Sequence, residues 1–385
     1  MTLILAVALI AILMAIPTGY EDAVLYQGAE RAVATVQAVD NTNIITSGLI
    51  QSGEQSCELL VKNGIFKGQT ITGVNFLSGS LEKDKMFSVG DEAMVTISHD
   101  GEEIRYVVMS DHYRLGKEVL LLALFAAFIL IFAGVNGINA ILSFVITILT
   151  IWKILVPCYL KGYNPVWIGI AITIFLTTVI IFFVYGWDKR TLVATLGSLL
   201  GTGVTCILGI IFTDLFKIHG AVMPNAESLI YSGYQNLDLT SIFMSSIFIG
   251  ASGAMMDLSV DITSAVNEVI LKKPGMKWRE ATKSGMNVGR AAMGTMTTTL
   301  LLAYSGGYVT LLMVFMAQGT PVSHILNYKY VASEILDTVI GSFGLVTVAP
   351  FTALVAGIIL ARKKKEVPSE AELKETLEQE VTVQI

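Results

Sequence analysis

The sequence predicts an α-helical polytopic membrane protein with about eight transmembrane helices and a small extracytoplasmic β-barrel-like domain. Three observations lead there. The 385 residues are 54% hydrophobic and only 15% charged, against about 25% charged in soluble domains, and the mean hydropathy is +0.68. Apolar runs long enough to cross a bilayer recur through the chain. One interval of roughly ninety residues instead alternates apolar and polar positions and is punctuated by turn residues.

The first element, Leu3 to Ile16, is shorter than the roughly 20 residues that cross a hydrocarbon core of about 30 Å. It has no basic n-region and no clear small-residue cleavage pattern, so an anchor, a cleaved signal peptide and a misassigned start all fit. Residues 1–18 are read as an uncleaved anchor. Either choice exports residues 20–114, where the runs Ala32 to Val39, Ile44 to Gln51, Cys57 to Lys62, Gln69 to Asn75, Glu92 to Ser98 and Glu103 to Met109 read as strands. Ser52-Gly53-Glu54, Asn63-Gly64 and Asp100-Gly101 supply hairpin punctuation, and a small barrel hides the sheet edges.

Residues 117–361 form the expected transmembrane domain. Its spans are Val119 to Val135, Ile138 to Val156, Val166 to Tyr185, Thr191 to Phe212, Leu239 to Leu258, Ala291 to Ala317 and Val331 to Leu360. Asn136-Gly-Ile-Asn139 fits a tight turn between two of them, and Pro350 predicts a weakened or kinked last span. Lys189 and Arg190, then Lys272, Lys273, Lys277, Arg279, Lys283 and Arg290, then Arg362 to Lys365 fall at alternate ends of the spans. Basic residues mark the cytoplasmic side, so eight spans put both termini inside and residues 362–385 in a charged cytoplasmic tail. Gly197-x-x-x-Gly201, Gly250-x-x-Gly253, Gly285-x-x-x-Gly289 and Gly341-x-x-Gly344 point to close helix packing.

Several function classes are disfavoured. A net charge of −6 without a basic stripe on a soluble module gives no support for nucleic-acid binding. Cys57, Cys158 and Cys206, with four scattered histidines, show no disulfide or metal spacing. The sequence has no His-Glu-x-x-His helix, no phosphate loop and no nucleophile elbow, so neither an enzyme nor a cofactor is expected.

The second half carries a recognisable set of motifs. They are Gly250-Ala-Ser-Gly-Ala-Met-Met-Asp257-Leu-Ser-Val-Asp261-Ile-Thr-Ser-Ala, Gly289-Arg290-Ala-Ala-Met-Gly294-Thr295-Met-Thr297, Ala303-Tyr-Ser-Gly306-Gly307, and Glu334-Ile-Leu with Gly341-Ser-Phe-Gly344. Together they resemble the YibE/F family of bacterial multi-spanning membrane proteins. Lys67-Gly68 and Asn75-Phe-Leu-Ser-Gly79 extend that likeness into the exported part. The resemblance implies a plasma-membrane protein without an established biochemical activity, with a basic residue at the position of Asp337, so that an ion pair with Glu334 is missing here.

Candidate functional residues follow from the cost of charge at membrane depth. Asp257 and Asp261 are i and i+4, and Ser264 and Glu268 continue their face. A transport reading makes Asp257, Asp261 and Glu334 a proton or ion relay with Asn267, Asn287, Thr295 and Thr298 as neutral ligands. Arg290 then bridges carboxylates or holds an anionic substrate. The plainer reading puts Asp257 near a span end and Asp261 at the interface, paired with Lys272, Lys277 or Arg290, and places Glu334 and Asp337 at a helix start that favours acids. The expected function is transport, or transport-coupled envelope work, acting on an unknown small molecule or ion within the lipid bilayer. The alternative is an envelope scaffold or receptor that binds a protein partner through residues 20–114. Homo- and hetero-oligomers both remain open.

Overall fold

The computed structural model describes residues 2–21 and 28–361; the expected tail, 362–385 with Arg362 to Lys365, lies outside them. The chain divides into two compact units, Tyr20–Gly134 and Met1–Gly19 with Val135–Ile385.

In the first unit, β1 (Ala29–Asp40), β2 (Ile44–Ser47), β3 (Ile50–Val61), β4 (Thr70–Ser78), β5 (Glu92–Asp100) and β6 (Glu103–His112) precede the helix α2 (Leu115–Gly134). β1 pairs antiparallel with both β3 and β5, β3 with β4, and β5 with β6. A parallel contact between Val74 of β4 and Val108 of β6 closes the ring. Five strands therefore form a Greek-key barrel with OB-type connectivity. The sixth, β2, extends β3 as a hairpin because Gly48, at φ 63°, breaks the run expected from Ile44 to Gln51.

Period-two alternation sends Ala32, Ala34, Val36, Leu59, Val61, Ala93, Val95, Ile97, Val107 and Met109 into one core, with Phe66 and Phe87 entering from loops. Gln55 and Asn75 also point inward and are fully buried. Gln55 Nε2 donates to Asn41 Oδ1 at 2.9 Å and to the Phe87 carbonyl at 2.9 Å. Its Oε1 accepts from the Phe87 amide at 3.0 Å and from Asn75 Nδ2 at 3.2 Å. This network holds the long β4–β5 connection on the barrel.

Cys57 is buried in the same core, and burial pushes its thiol up to about 11. Only the thiolate reacts appreciably with maleimide or disulfide reagents. Cys57 will therefore resist labelling from pH 7 to 9 in the folded protein and will label readily in denaturant. Rapid labelling of Cys57 itself in the folded chain, located by peptide mass because Cys158 is only half-buried, would contradict this burial.

The second unit contains α1 (Thr2–Ala15), α3 (Asn136–Leu160), α4 (Pro165–Tyr185), α5 (Lys189–Leu215), α6 (Ala226–Tyr231), α7 (Leu239–Lys272), α8 (Trp278–Ser305), α9 (Val309–Ala317), α10 (Val322–Asn327) and α11 (Lys329–Leu360). Seven spans of membrane length and apolarity occur among the described residues, counting α2 and taking α8 with α9 as one. The apolar α1 is shorter. Local chemistry sets several starts: Asn164 caps α4 ahead of Pro165, Asp188 caps α5, and Asp238 caps α7.

Three expectations about these helices change. The break expected at Asn136 to Asn139 lies at Gly134, whose φ 54° and ψ −128° suit only glycine. Asn139 is helical and donates to the Phe183 carbonyl at 3.2 Å. α7 continues through Lys272 instead of ending near Leu258, and α8 starts at Trp278, so Arg279, Lys283 and Arg290 are helical residues. α11 is a single helix that contains Pro350.

The bundle core is α5, α7 and α11, joined through small residues. A Cβ on Gly197 would stand 2.1 Å from Thr352 Oγ1, and one on Gly344 would stand 2.2 Å from Met255 Cε. Ser259 donates to the Ala194 carbonyl at 2.6 Å and receives Thr352 Oγ1 at 3.1 Å, tying all three helices at one level. Gly285 and Gly289 seat α8 against Ala353 and Ala349. These pairings make α7 and α11 run one way and α5 and α8 the other, and α4 runs with α7, since Gly169 meets Ser245 and Tyr185 meets Ser264.

Candidate functional site

Helical spacing places Ser246, Gly250, Gly253, Asp257, Asp261, Ser264 and Glu268 on one side of α7. The opposite side carries Ala251, Met255, Leu258, Ile262 and Val266, all buried in the bundle core. Asp257, Asp261 and Glu268 are exposed. Asp257 stands in the middle of a 34-residue helix and not near its end. Tyr185 of α4 borders this face, with its hydroxyl 2.7 Å from the Val260 carbonyl and 2.6 Å from Ser264 Oγ. The Arg190 guanidinium lies 4.9 Å from the Tyr185 ring centroid. Asp261 is within electrostatic reach of the same phenol.

Arg290 stands level with Asp261, because the neighbouring Gly289 packs on Ile262. It is exposed, and among the described residues no ion pair joins the two. Asn267 is half-buried near the end of α7, whereas Asn287, Thr295 and Thr298 lie on the exposed side of α8. The Thr295 and Thr298 hydroxyls donate to their own helix, to the Ala292 and Gly294 carbonyls. Thr298 also lines a groove of about 380 Å³ with Thr297, Leu301, Thr338, Ser342 and Phe343.

A second acidic group forms where α8, α9 and α11 meet. Glu334 and Asp337 are the sixth and ninth residues of α11, beyond its first turn. Tyr304 and Tyr308 are both within electrostatic reach of the two carboxylates. The Tyr304 hydroxyl also approaches α7, since a Cβ on Gly250 would lie 3.0 Å from it. Glu334 Oε1 and Asp337 Oδ1 are shielded from solvent and have no hydrogen-bond partner among the described residues.

The two acidic groups are separate. Gly341 of α11 meets Ala251 of α7, so on these parallel helices Glu334 stands near the level of Met244. At 1.5 Å per residue, Asp257 lies about 20 Å further along the axis. Tyr304 and Tyr308 were not among the sequence candidates. Their signal was two phenols one turn apart before a span that opens with two acids.

Carboxylates placed along a bundle of membrane-length apolar helices define an integral multi-pass membrane protein. The model of the YibE/F-like protein family matches residues 121–362, and the chain belongs to that family. The match starts within α2, so the likeness expected in the strands lies outside it. No curated protein and no solved structure matches the chain.

Proposed function

We propose that the protein is a transporter, or a transport-coupled envelope protein of the plasma membrane, in which intramembrane carboxylates take up a proton or cation. The observation that carries this reading is the Glu334 and Asp337 pair, with one solvent-shielded, unpartnered oxygen on each residue and phenols of α8 and the following turn beside it. A carboxylate among apolar helices with no fixed cation is a place where a proton or cation binds, because bare charge there costs roughly 3 kcal/mol. Asp257 and Asp261 supply a second such place further along the bundle. No chemistry on the substrate is proposed, so the protein is taken as a non-enzyme without a cofactor.

Reconstitution in vesicles under an imposed pH gradient tests the reading. Asp337→Asn and Glu334→Gln will each reduce coupled movement at least about tenfold, the scale of removing one site of proton or charge exchange. Asp257→Asn will reduce it as well. Wild-type rates in all three variants, at normal expression, would remove the relay.

The β2–β3 hairpin supports the second reading, a scaffold or receptor. Ile45 is 71% exposed and Leu49 is 86% exposed at its tip, which is apolar surface suited to a protein partner. Photocrosslinking from Leu49, Glu54 or Asp100 would favour that reading if it gave one dominant protein adduct while the acid-to-amide variants behaved normally.

A further inference from the structure

We propose that the connection between α7 and α8, together with the end of α11, forms a headgroup site for an anionic phospholipid. From Glu268 to Arg290 the chain carries Lys272, Lys273, Lys277, Arg279, Lys283 and Arg290 against Glu268 and Glu280. Among the described residues of this stretch, the one ion pair is Lys273 with Glu280, at 3.2 Å. Lys272, Lys277, Arg279, Lys283 and Arg290 make no ion pair among the described residues. Gly275, at φ 83°, turns the chain tightly between the two helices. A cavity of about 620 Å³ opens there, lined by Met276, Lys277, Trp278, Arg279, Ile358 and Ala361.

The lining decides in favour of a lipid over a free anion. Lys277 and Arg279 supply cationic donors for a phosphate, and the Arg279 guanidinium lies 5.3 Å from the Trp278 ring centroid. Trp278 is an amphipathic ring of the kind that sits at headgroup level. Ile358 and, one turn back on α11, Leu354 are both exposed and apolar. A molecule whose phosphate is held by Lys277 and Arg279 thus has a hydrocarbon wall for its tail, which a free phosphate does not use. The site is independent of whether the protein transports.

Native mass spectrometry of the full chain in mild detergent tests this, with phosphatidylglycerol and phosphatidylcholine added in parallel. Phosphatidylglycerol will be retained preferentially. The double variant Lys277→Gln/Arg279→Gln will weaken that retention about 25-fold at low salt, as expected for two lost charges at a membrane surface. The charge-keeping variant Lys277→Arg/Arg279→Lys will restore most of it. Retention in the unmodified protein will also fall as salt rises, which reads the same charges even where the glutamine variant folds poorly. Equal retention of phosphatidylcholine, an unchanged glutamine variant, or displacement of the lipid by millimolar inorganic phosphate would each overturn the proposal.

Discussion

Gln55→Leu will loosen the barrel strongly, although it replaces one buried side chain with another of similar size. The leucine fills similar space but removes all four hydrogen bonds made by the amide, to Asn41, to Asn75 and to both backbone groups of Phe87. The Phe87 N–H and carbonyl are then buried without partners, and Asn75 keeps only its Nδ2 bond to the Lys85 carbonyl at 2.6 Å. At about 1–3 kcal/mol for each unpaired group, the loss is on the order of 4 kcal/mol. Hydrogen exchange in the full chain will show amides of residues 79–91 opening about a thousandfold more often. Phe76→Ser is the contrast, because Phe76 faces outward and is exposed; its effect will stay within about 0.5 kcal/mol. Wild-type exchange in Gln55→Leu would show that the network does not hold the connection.

Gly197→Val will have a comparable effect on the helical unit. Its Cβ would stand 2.8 Å from Thr352 Cβ and 2.9 Å from Thr352 Cα, so backbone and not only a side-chain tip has to move. Separating α5 from α11 there also strains the Thr352 to Ser259 and Ser259 to Ala194 bonds. Overpacking of about 1–3 kcal/mol adds to about 1 kcal/mol for each buried hydrogen bond lost. The melting temperature in detergent will fall by about 10 °C, at the few degrees per kcal/mol usual for this size. Gly203→Ala tests specificity, because a Cβ there meets nothing within 4 Å. It will be neutral or slightly stabilising, since alanine is the better helix former. Equal melting of the two variants would refute the close approach at Gly197.

The sequence read well where one period dominates. Apolar runs of bilayer length and a stretch of period two yielded the helical class and the barrel, because burial alone writes those patterns. Helix ends were less legible. Asp257 and Asp261 look like the exit of a span, yet α7 continues beyond them because its other face stays apolar through Leu258, Ile262 and Val266. The basic run before Ala291 reads as a loop, although Arg279, Lys283 and Arg290 sit on helix α8 with Ala281, Gly285 and Gly289 turned to the core. The pairing of Glu334 with Tyr308 was illegible for a different reason. It joins α11 to a residue across two intervening helices, α9 and α10, and no local period encodes such a contact. Inward placement of Gln55 and Asn75 was hidden too, since only the closed barrel gives those amides partners.

The hydroxyl knot at Ser259 has a mechanical consequence. Ala194, Ser259 and Thr352 fasten α5, α7 and α11 at one height, so these three helices turn as a single post. α8 and α9 are held less firmly: the span they form is 6% buried, against 44–50% for α5, α7 and α11. Gly306 and Gly307 interrupt it with a short 3-10 turn. The post thus fixes the height of Glu334 on α11, whereas the turn that sets Tyr308 beside it belongs to the loosely packed span.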